Sequence, residues 1–204
     1  MPRPKKTTVE IESMRGQVLD TAFAILQSEG SEAITSRAIA ERLGVAHMSL
    51  FTYFKNQAEI LDTLHEREMA RWAAKQTSFA QRAQAEDVTQ VVQELLAFYV
   101  SFARENPNLF RLAWVIPQTI GESIEEERRR RKATIENLAK ILHLGMERGA
   151  FKRRDPFIAA STVLAMVNVP HILYHSGKLV DTTLRDQMTN EVLTAAMGYL
   201  TSKE

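Results

Sequence analysis

The sequence predicts an all-α fold, and three observations carry that prediction. Apolar residues recur at spacings of three and four along most of the chain. Alternation with a period of two, the mark of a half-buried strand, is nearly absent. Glycine and proline are scarce, 8 and 6 in 204 residues, and several stand where a helix would begin or stop. With 45% hydrophobic residues the chain can bury a substantial core, as one large helical domain or two smaller ones.

The first helix is expected from about Thr8 to Glu29, with Ile11, Met14, Val18, Ala22 and Ile25 on one face and Gly30 as its stop. Thr35 or Ser36 caps a second, short helix that reaches Leu43, where Gly44 breaks it. A third short helix spans about Ala46 to Tyr53. Asn56 and Glu59 have the spacing of a capping box and open a fourth helix reaching about Gln76. The next covers about Val88 to Glu105. Asn106-Pro107 reads as a cap followed by proline in the first turn, opening a helix that Pro117 ends. A long helix runs from about Glu122 to Arg148 and closes at Gly149. Asp155-Pro156 repeats the cap-proline signal and opens a helix ending at Gly177; the last helix runs from about Thr183 to Thr201.

Composition narrows the function classes. The net charge of +1 is not that of a general polyanion binder. Arg3, Lys5 and Lys6 form a basic arm that suits a phosphate backbone or a minor groove, and equally a solvated terminus. The segment GESIEEERRRRK resembles a nucleic-acid patch at first sight. However, Glu125, Glu126 and Glu127 precede Arg129, Arg130 and Arg131 by four residues, the favourable direction for ion pairs along a solvated helix face. The absence of cysteine excludes disulfides and thiolate chemistry and is compatible with an intracellular home. No apolar run approaches a membrane span, and no apolar stretch follows the basic N-terminal residues as in a secretory signal. The simplest expectation is a soluble, cytoplasmic protein with no membrane partner.

The stretch TSRAIAERLGVAHMSLFTYF, residues 35–54, has helix-turn-helix spacing. Ile39, Leu43, Val45 and Leu50 would bury together, Ala40 is small where the second helix of the unit crosses, and Gly44 can take the positive φ of a tight turn. Any helical hairpin with a glycine turn shares these features; the context is more specific. From Met14 to about Leu64, through SEG, TSRAIAERLGV, SLFTYFKN and EIL, the chain resembles the TetR/AcrR family of bacterial transcriptional regulators.

That resemblance implies an N-terminal three-helix DNA-binding domain with a helix-turn-helix over residues 1–55. It also implies a larger C-terminal helical ligand-binding and dimerisation domain over residues 56–204. In the family the third helix enters the major groove and ends in an aromatic pair, and a cap with an acidic residue then opens the fourth. Phe51, Tyr53, Phe54, Asn56 and Glu59 match those places. Met48 departs from the usual small residue and Gln57 from the frequent lysine, which alters the base preference and removes one phosphate charge. The implied DNA-binding set is Arg37, Ala46, His47, Met48, Ser49, Thr52, Tyr53, Lys55 and Asn56. His47 can meet a purine edge, and Met48 or Thr52 a thymine methyl. Arg37 suits a strong base or phosphate contact. Tyr53, Lys55 and the Asn56 cap suit phosphate. Phe51 and Phe54 are expected to pack against the first and fourth helices.

In the C-terminal half, the helix after Asp155 is apolar nearly all round, so both sides of it need cover. The last helix carries the stripe Leu184, Met188, Val192, Ala195 and Tyr199. Together they suggest a homodimer through the two C-terminal helices, the alternative being a monomer with a deep core. Ser161, Asn168, His171 and His175 form a polar seam on the apolar helix, and Pro170 would kink it. His171 and His175 have a metal-compatible spacing but lack a third ligand, so neither metal nor cofactor is expected. The candidate ligand-binding residues are Phe102, Trp114, His143, Met146, Asn168 and His171, with Phe98 and Phe110 as further walls.

The expected function is a ligand-responsive DNA-binding repressor, released from a pseudo-palindromic double-stranded DNA operator by a small-molecule effector. An enzyme is not expected, since no recognisable nucleophile, phosphate loop or histidine motif is present. An all-α small-molecule-binding protein or enzyme without DNA regulation, and an architectural DNA-binding protein without a ligand, are the alternatives.

Overall fold

The computed structural model describes residues 7–115 and 124–201. Every described element is helical. The described residues fall into two compact units, one of residues 7–70 and one of residues 71–115 and 124–201.

In the first unit, α1 spans Thr8–Glu29. Thr7 Oγ1 accepts the Glu10 N–H at 3.3 Å while the Glu10 carboxylate accepts the Thr7 N–H at 2.7 Å, a complete capping box. Gly30, at φ +90°, ends the helix. A single turn, Ser31–Ala33, leads to α2, Ser36–Leu43, whose first turn is capped by Thr35 Oγ1 accepting the Ala38 N–H at 3.1 Å. Gly44 takes φ +65°, which a side chain would strain, and lets Val45 N–H reach Ala40 O at 3.0 Å. The next segment, His47–Thr52, is a tight 3₁₀ helix rather than the α-helix expected over Ala46 to Tyr53. Val18, Ala22, Ile25 and Leu26 of α1 form the core with Ile34, Ile39, Leu50, Phe54, Ile60 and Leu64.

Helix α3 spans Gln57–Ala85, nine residues beyond the expected end at Gln76. No glycine or proline interrupts it, and buried Trp72, Gln76, Phe79 and Ala83 keep the helical spacing going. The domain boundary read from the sequence, at 55/56, leaves α3 whole. The compact units instead divide it between Ala70 and Arg71.

In the second unit, α4 (Val88–Glu105) follows an Asp87 cap, and α5 (Pro107–Phe110) passes directly into a π turn over Arg111–Val115. Pro107 stands in the first turn as expected, but the Asn106 side chain makes no capping bond. Helix α6 (Ile124–Glu147) ends at Gly149, φ +73°. Within α6, Gly145 has its own reason: a Cβ there would meet the Phe151 ring at 2.2 Å. Helix α7 (Pro156–His175) is capped by Asp155, and α8 spans Thr182–Thr201. Packed against α4, α6 and α8, α7 is the centre of this unit.

One expectation changes here. Helix α7 is long and apolar enough to cross a membrane by length and composition, so the reading that no run approaches that length was too strict. Its cover is also one-sided within the chain. Ala159, Ala160, Val163, Leu164 and Val167 are buried, while Phe157, Ile158 and Val169 are exposed. The basic arm, Pro117, and the side chains of the charged segment up to Arg128 with Arg130 and Arg131 lie outside the described residues; Arg129 is exposed.

Candidate nucleic-acid interface and effector site

The segment after Gly44 is built as an exposed face on buried anchors. Leu50, Tyr53 and Phe54 recur at helical spacing and are 1%, 7% and 2% exposed. Backbone bonds close the turn tightly: Ser49 N–H to Ala46 O at 2.8 Å, and Tyr53 and Phe54 N–H both to Leu50 O, at 2.9 and 3.0 Å. This sharing of one carbonyl ends the turn and brings both rings inward. What remains outside is Ala46, Met48 (70% exposed), Thr52, Lys55 and Asn56, with Arg37 exposed on the first turn of α2.

Three expected members of that face are engaged within the chain. The His47 ring meets Ser36 Oγ at 3.0 Å through Nε2, and the Ser49 hydroxyl donates to Ala46 O at 2.6 Å. Asn56 Oδ1 accepts the Glu59 N–H at 2.9 Å. Phe51 was expected inside with Phe54, but it is 40% exposed, with its edge toward the His47 ring at 5.4 Å. The tight turn is the reason: in a 3₁₀ helix residues 51 and 54 eclipse, but Phe54 already lies beyond the last turn, leaving Phe51 on the outer side.

Sequence reasoning missed Arg15. Its guanidinium lies 4.1 Å from the Phe54 ring centroid, donates to Tyr53 O and stands 3.5 Å from Glu59. One cation thus joins α1, the end of the reading turn and the start of α3. The signal was present: Arg15 lies four residues after Ile11 and three before Val18, on the buried face of α1. Gln57, a departure from the family's frequent lysine, donates to Ile34 O at 2.8 Å and so has a structural use.

The second unit gathers its aromatic residues around Trp72. Its ring centroid lies 4.7 Å from Phe98, 5.2 Å from Tyr99, 4.4 Å from Phe102 and 5.9 Å from Trp114. Trp114 stacks on Phe110 at 5.3 Å, and Phe110 touches His171 and His175 at 6.1 and 5.2 Å. Of the expected ligand walls, Phe102, Trp114 and His171 therefore belong to one continuous ring system. Met146 is buried in the same core and Asn168 is half-buried on α7. His143 is not a wall: it faces out from α6 and meets Glu147 at 3.4 Å. Ala139 and Met146, one turn away on either side, are buried, so spacing alone pointed inward and only the packing shows His143 exposed. Trp72, Gln76 and Tyr99 were missed, although the spacing of Trp72, Gln76, Phe79 and Ala83 carries the pattern of an inward face.

The polar seam divides. Ser161 Oγ donates to Phe157 O at 2.8 Å, a bond local to α7. His175 Nε2 meets Ala103 O at 3.0 Å, and burial lowers its pKa. His171 is 1% exposed, and burial first, then the charges of Arg185, His175 and Arg104, push its pKa down to about 4. The Thr189 hydroxyl donates to Arg185 O at 2.7 Å, so at 3.5 Å from His171 Nε2 it accepts. Neutral His171 then presents Nδ1 as a bare lone pair, with no partner. Among the described residues no group of three or more His, Asp or Glu could hold a metal.

Residues 18–64 match the family described as bacterial regulatory proteins, tetR family, and residues 84–192 match the tetracyclin repressor-like C-terminal domain. The chain is 44% identical to the tetracycline repressor protein class C of Escherichia coli over 52 residues, which cover 26% of this chain and 24% of that protein. It is 28% identical to the nucleoid occlusion factor SlmA of Mannheimia succiniciproducens over 117 residues, 54% of this chain and 53% of that protein. The chain thus spans about half or less of the length of these curated relatives. Among solved structures, a transcriptional regulator from Saccharomonospora viridis in complex with choline superposes with a TM-score of 0.79. The match covers 94% of this chain and 100% of that one, and at 16% identity it shows the fold.

Proposed function

Because the chain belongs to the tetR family of bacterial regulatory proteins, we propose that it is a ligand-responsive, sequence-specific DNA-binding transcriptional regulator. In this reading it is a repressor released from a pseudo-palindromic operator by a small molecule. The observation that carries the DNA half is the reading turn: Met48, Thr52 and Lys55 exposed on a segment held by buried Leu50, Tyr53 and Phe54. Such a turn presents short side chains to base edges while Arg37 and Lys55 meet phosphates. A homodimer would place two turns on half-sites about 34 Å apart. The bare apolar face of α7, with Leu184 at 43% exposure on α8, supports that dimer. Acting on chromosomal DNA, the protein would work in the bacterial cytoplasm, by binding rather than by catalysis.

Helix α3 supports coupling between reading and sensing. Its first turn receives the Asn56 cap, and its later turns carry Trp72 and Gln76. An effector that binds two settings of this helix with different affinity would shift DNA binding. The test is selection of bound duplexes from a random pool, then a footprint on the winners. A two-fold sequence protected at two sites one helical turn apart is the expected result, and no enrichment refutes the reading.

A second reading, a DNA-binding protein without an effector, is favoured by the mutual contact of the rings around Trp72. Against it stand the unpartnered polar atoms inside that cluster, which a purely structural core has no use for. The choline seen in the S. viridis regulator makes a quaternary ammonium one effector class to test.

A further inference from the structure

Three buried side chains at or beside the ring cluster each keep a polar atom without a hydrogen-bond partner: Trp72 Nε1, Gln76 Nε2 and the Tyr99 hydroxyl. They are 7%, 2% and 4% exposed. Trp72 and Gln76 lie one turn apart on α3, and the Tyr99 ring is 5.2 Å from Trp72. Gln76 Oε1 is already engaged by Asn137 Nδ2 at 3.5 Å, leaving its amide nitrogen over. A buried donor left unmade carries its full desolvation penalty, so three on neighbouring side chains suit a common partner.

The chemistry of that partner follows from the donors. An indole N–H and an amide NH₂ only donate, so the partner must accept. The wall around them is Phe98, Phe102 and Trp114, all uncharged. Burial raises the Tyr99 pKa far above neutral, so the phenol stays a donor. A carboxylate would enter without a cationic side chain among these lining residues, at a high desolvation cost. A tetraalkylammonium would satisfy the rings and leave both obligate donors empty. Phe98, Phe102 and Trp114 are all half-buried, and of the three only Trp114 sits on the π turn, a helix defect found mostly at functional sites.

We propose that the effector is a flat, uncharged molecule with a ring-bound carbonyl, which takes hydrogen bonds from Trp72, Gln76 and Tyr99 after displacing the Trp114 indole. The proposal rests on the reading of the chain as a ligand-responsive regulator, and it names the chemical class that reading leaves open.

Both tryptophans of the chain are in the cluster, so intrinsic fluorescence reports the site. The full chain is titrated with 9-fluorenone, fluorene, fluorene-9-carboxylate and benzyltrimethylammonium, with equilibrium dialysis as the second readout. Fluorenone is expected to bind at least about tenfold tighter than each of the others. Gln76→Leu and Tyr99→Phe should each cut the preference for fluorenone over fluorene roughly threefold to tenfold, the worth of one hydrogen bond. Tyr99→Phe removes no bond of the ligand-free protein and should not lower its denaturation midpoint, whereas Gln76→Leu also loses the Asn137 bond and is read by its ligand preference alone. Equal binding of fluorenone and fluorene, preference for a charged probe, or no binding overturns the proposal. The same samples are tested for selective duplex binding. Selective DNA binding without carbonyl preference sinks the ligand class alone, and loss of both sinks the regulator reading as well.

Discussion

The two units treat buried polarity in opposite ways. Around the reading turn, side-chain polar groups are spent on the backbone: Arg15 on Tyr53 O, Gln57 on Ile34 O, Thr35 on Ala38 N–H and Asn56 on Glu59 N–H. Even Arg67, which leaves one nitrogen unpaired, uses the others on Asp20 and Glu68. Around Trp72, by contrast, an indole nitrogen, a phenol and an amide nitrogen are buried and left without partners. A surface that must keep the register of base edges gains from having each tie made. Under the proposed effector reading, the Trp72 core would keep its donors in reserve at the expense of its own stability.

The hardest blow to that contrast falls on the anchor. Phe54→Ala, at a residue 2% exposed, should cost the first unit about 3–5 kcal/mol and abolish selective DNA binding. Urea unfolding followed by far-UV circular dichroism checks it; a loss under about 1 kcal/mol would mean that the turn is not held by this ring.

Acid should act on the second unit. His171 is buried neutral with its pKa pushed down to about 4, while an unfolded histidine titrates near 6.5. Between those values the unfolded chain binds more protons, so stability rises with pH across the window. The contribution is fully present above about pH 6.5 and is lost as pH falls toward about 4, with an upper size of about 3 kcal/mol. His175, also lowered by burial, adds in the same direction. Denaturation midpoints of wild type and His171→Asn across this range should diverge in slope; parallel curves would show that His171 does not titrate as described.

Arg37→Ala removes an exposed guanidinium at the head of α2 and should weaken operator binding by about 1–3 kcal/mol without changing the fold or the subunit association. Fluorescence anisotropy at several salt concentrations separates the cases: a base contact relaxes specificity at one position, and a phosphate contact lowers the salt slope. Unchanged affinity would place the DNA elsewhere. The smallest effect belongs to Thr35→Ala, which removes the α2 cap and should cost about 1 kcal/mol. Its thermal melt should shift by a few degrees; no shift would mean that water replaces the hydroxyl.

Much of the architecture could be read directly. The capping chemistry of Thr35, Asn56 and Asp155 places helix starts because the bonds are local, between residues three apart. Gly44 and Gly149 place two helix ends for the same reason, a φ that other residues strain to adopt. The site was harder to read. Ser49 and His47 have the right chemistry for the interface, yet Ala46 O and Ser36 Oγ decide what they offer, and Phe51, expected inside, is left outside by the 3₁₀ turn. His143 and Trp72 show the limit from both sides: one looked like a pocket wall and faces solvent, and the other was overlooked and stands at the centre of the rings.

By itself, then, the sequence determined most helix starts, that the fold is all-α, and which stretch carries the helix-turn-helix, since caps, turns and amphipathic spacing act within a few residues. Only the tertiary structure decided that Arg15 clamps the reading turn, that Phe51 faces out, and that Trp72, Gln76 and Tyr99 share one interior with unmet donors. The Arg15 clamp depends on contacts with Tyr53 and Glu59, and the Trp72 rings on contacts with Phe98 and Trp114, all between residues far apart in the chain. No local periodicity encodes such a pairing; it exists only once helices from distant parts of the chain have closed on a common core.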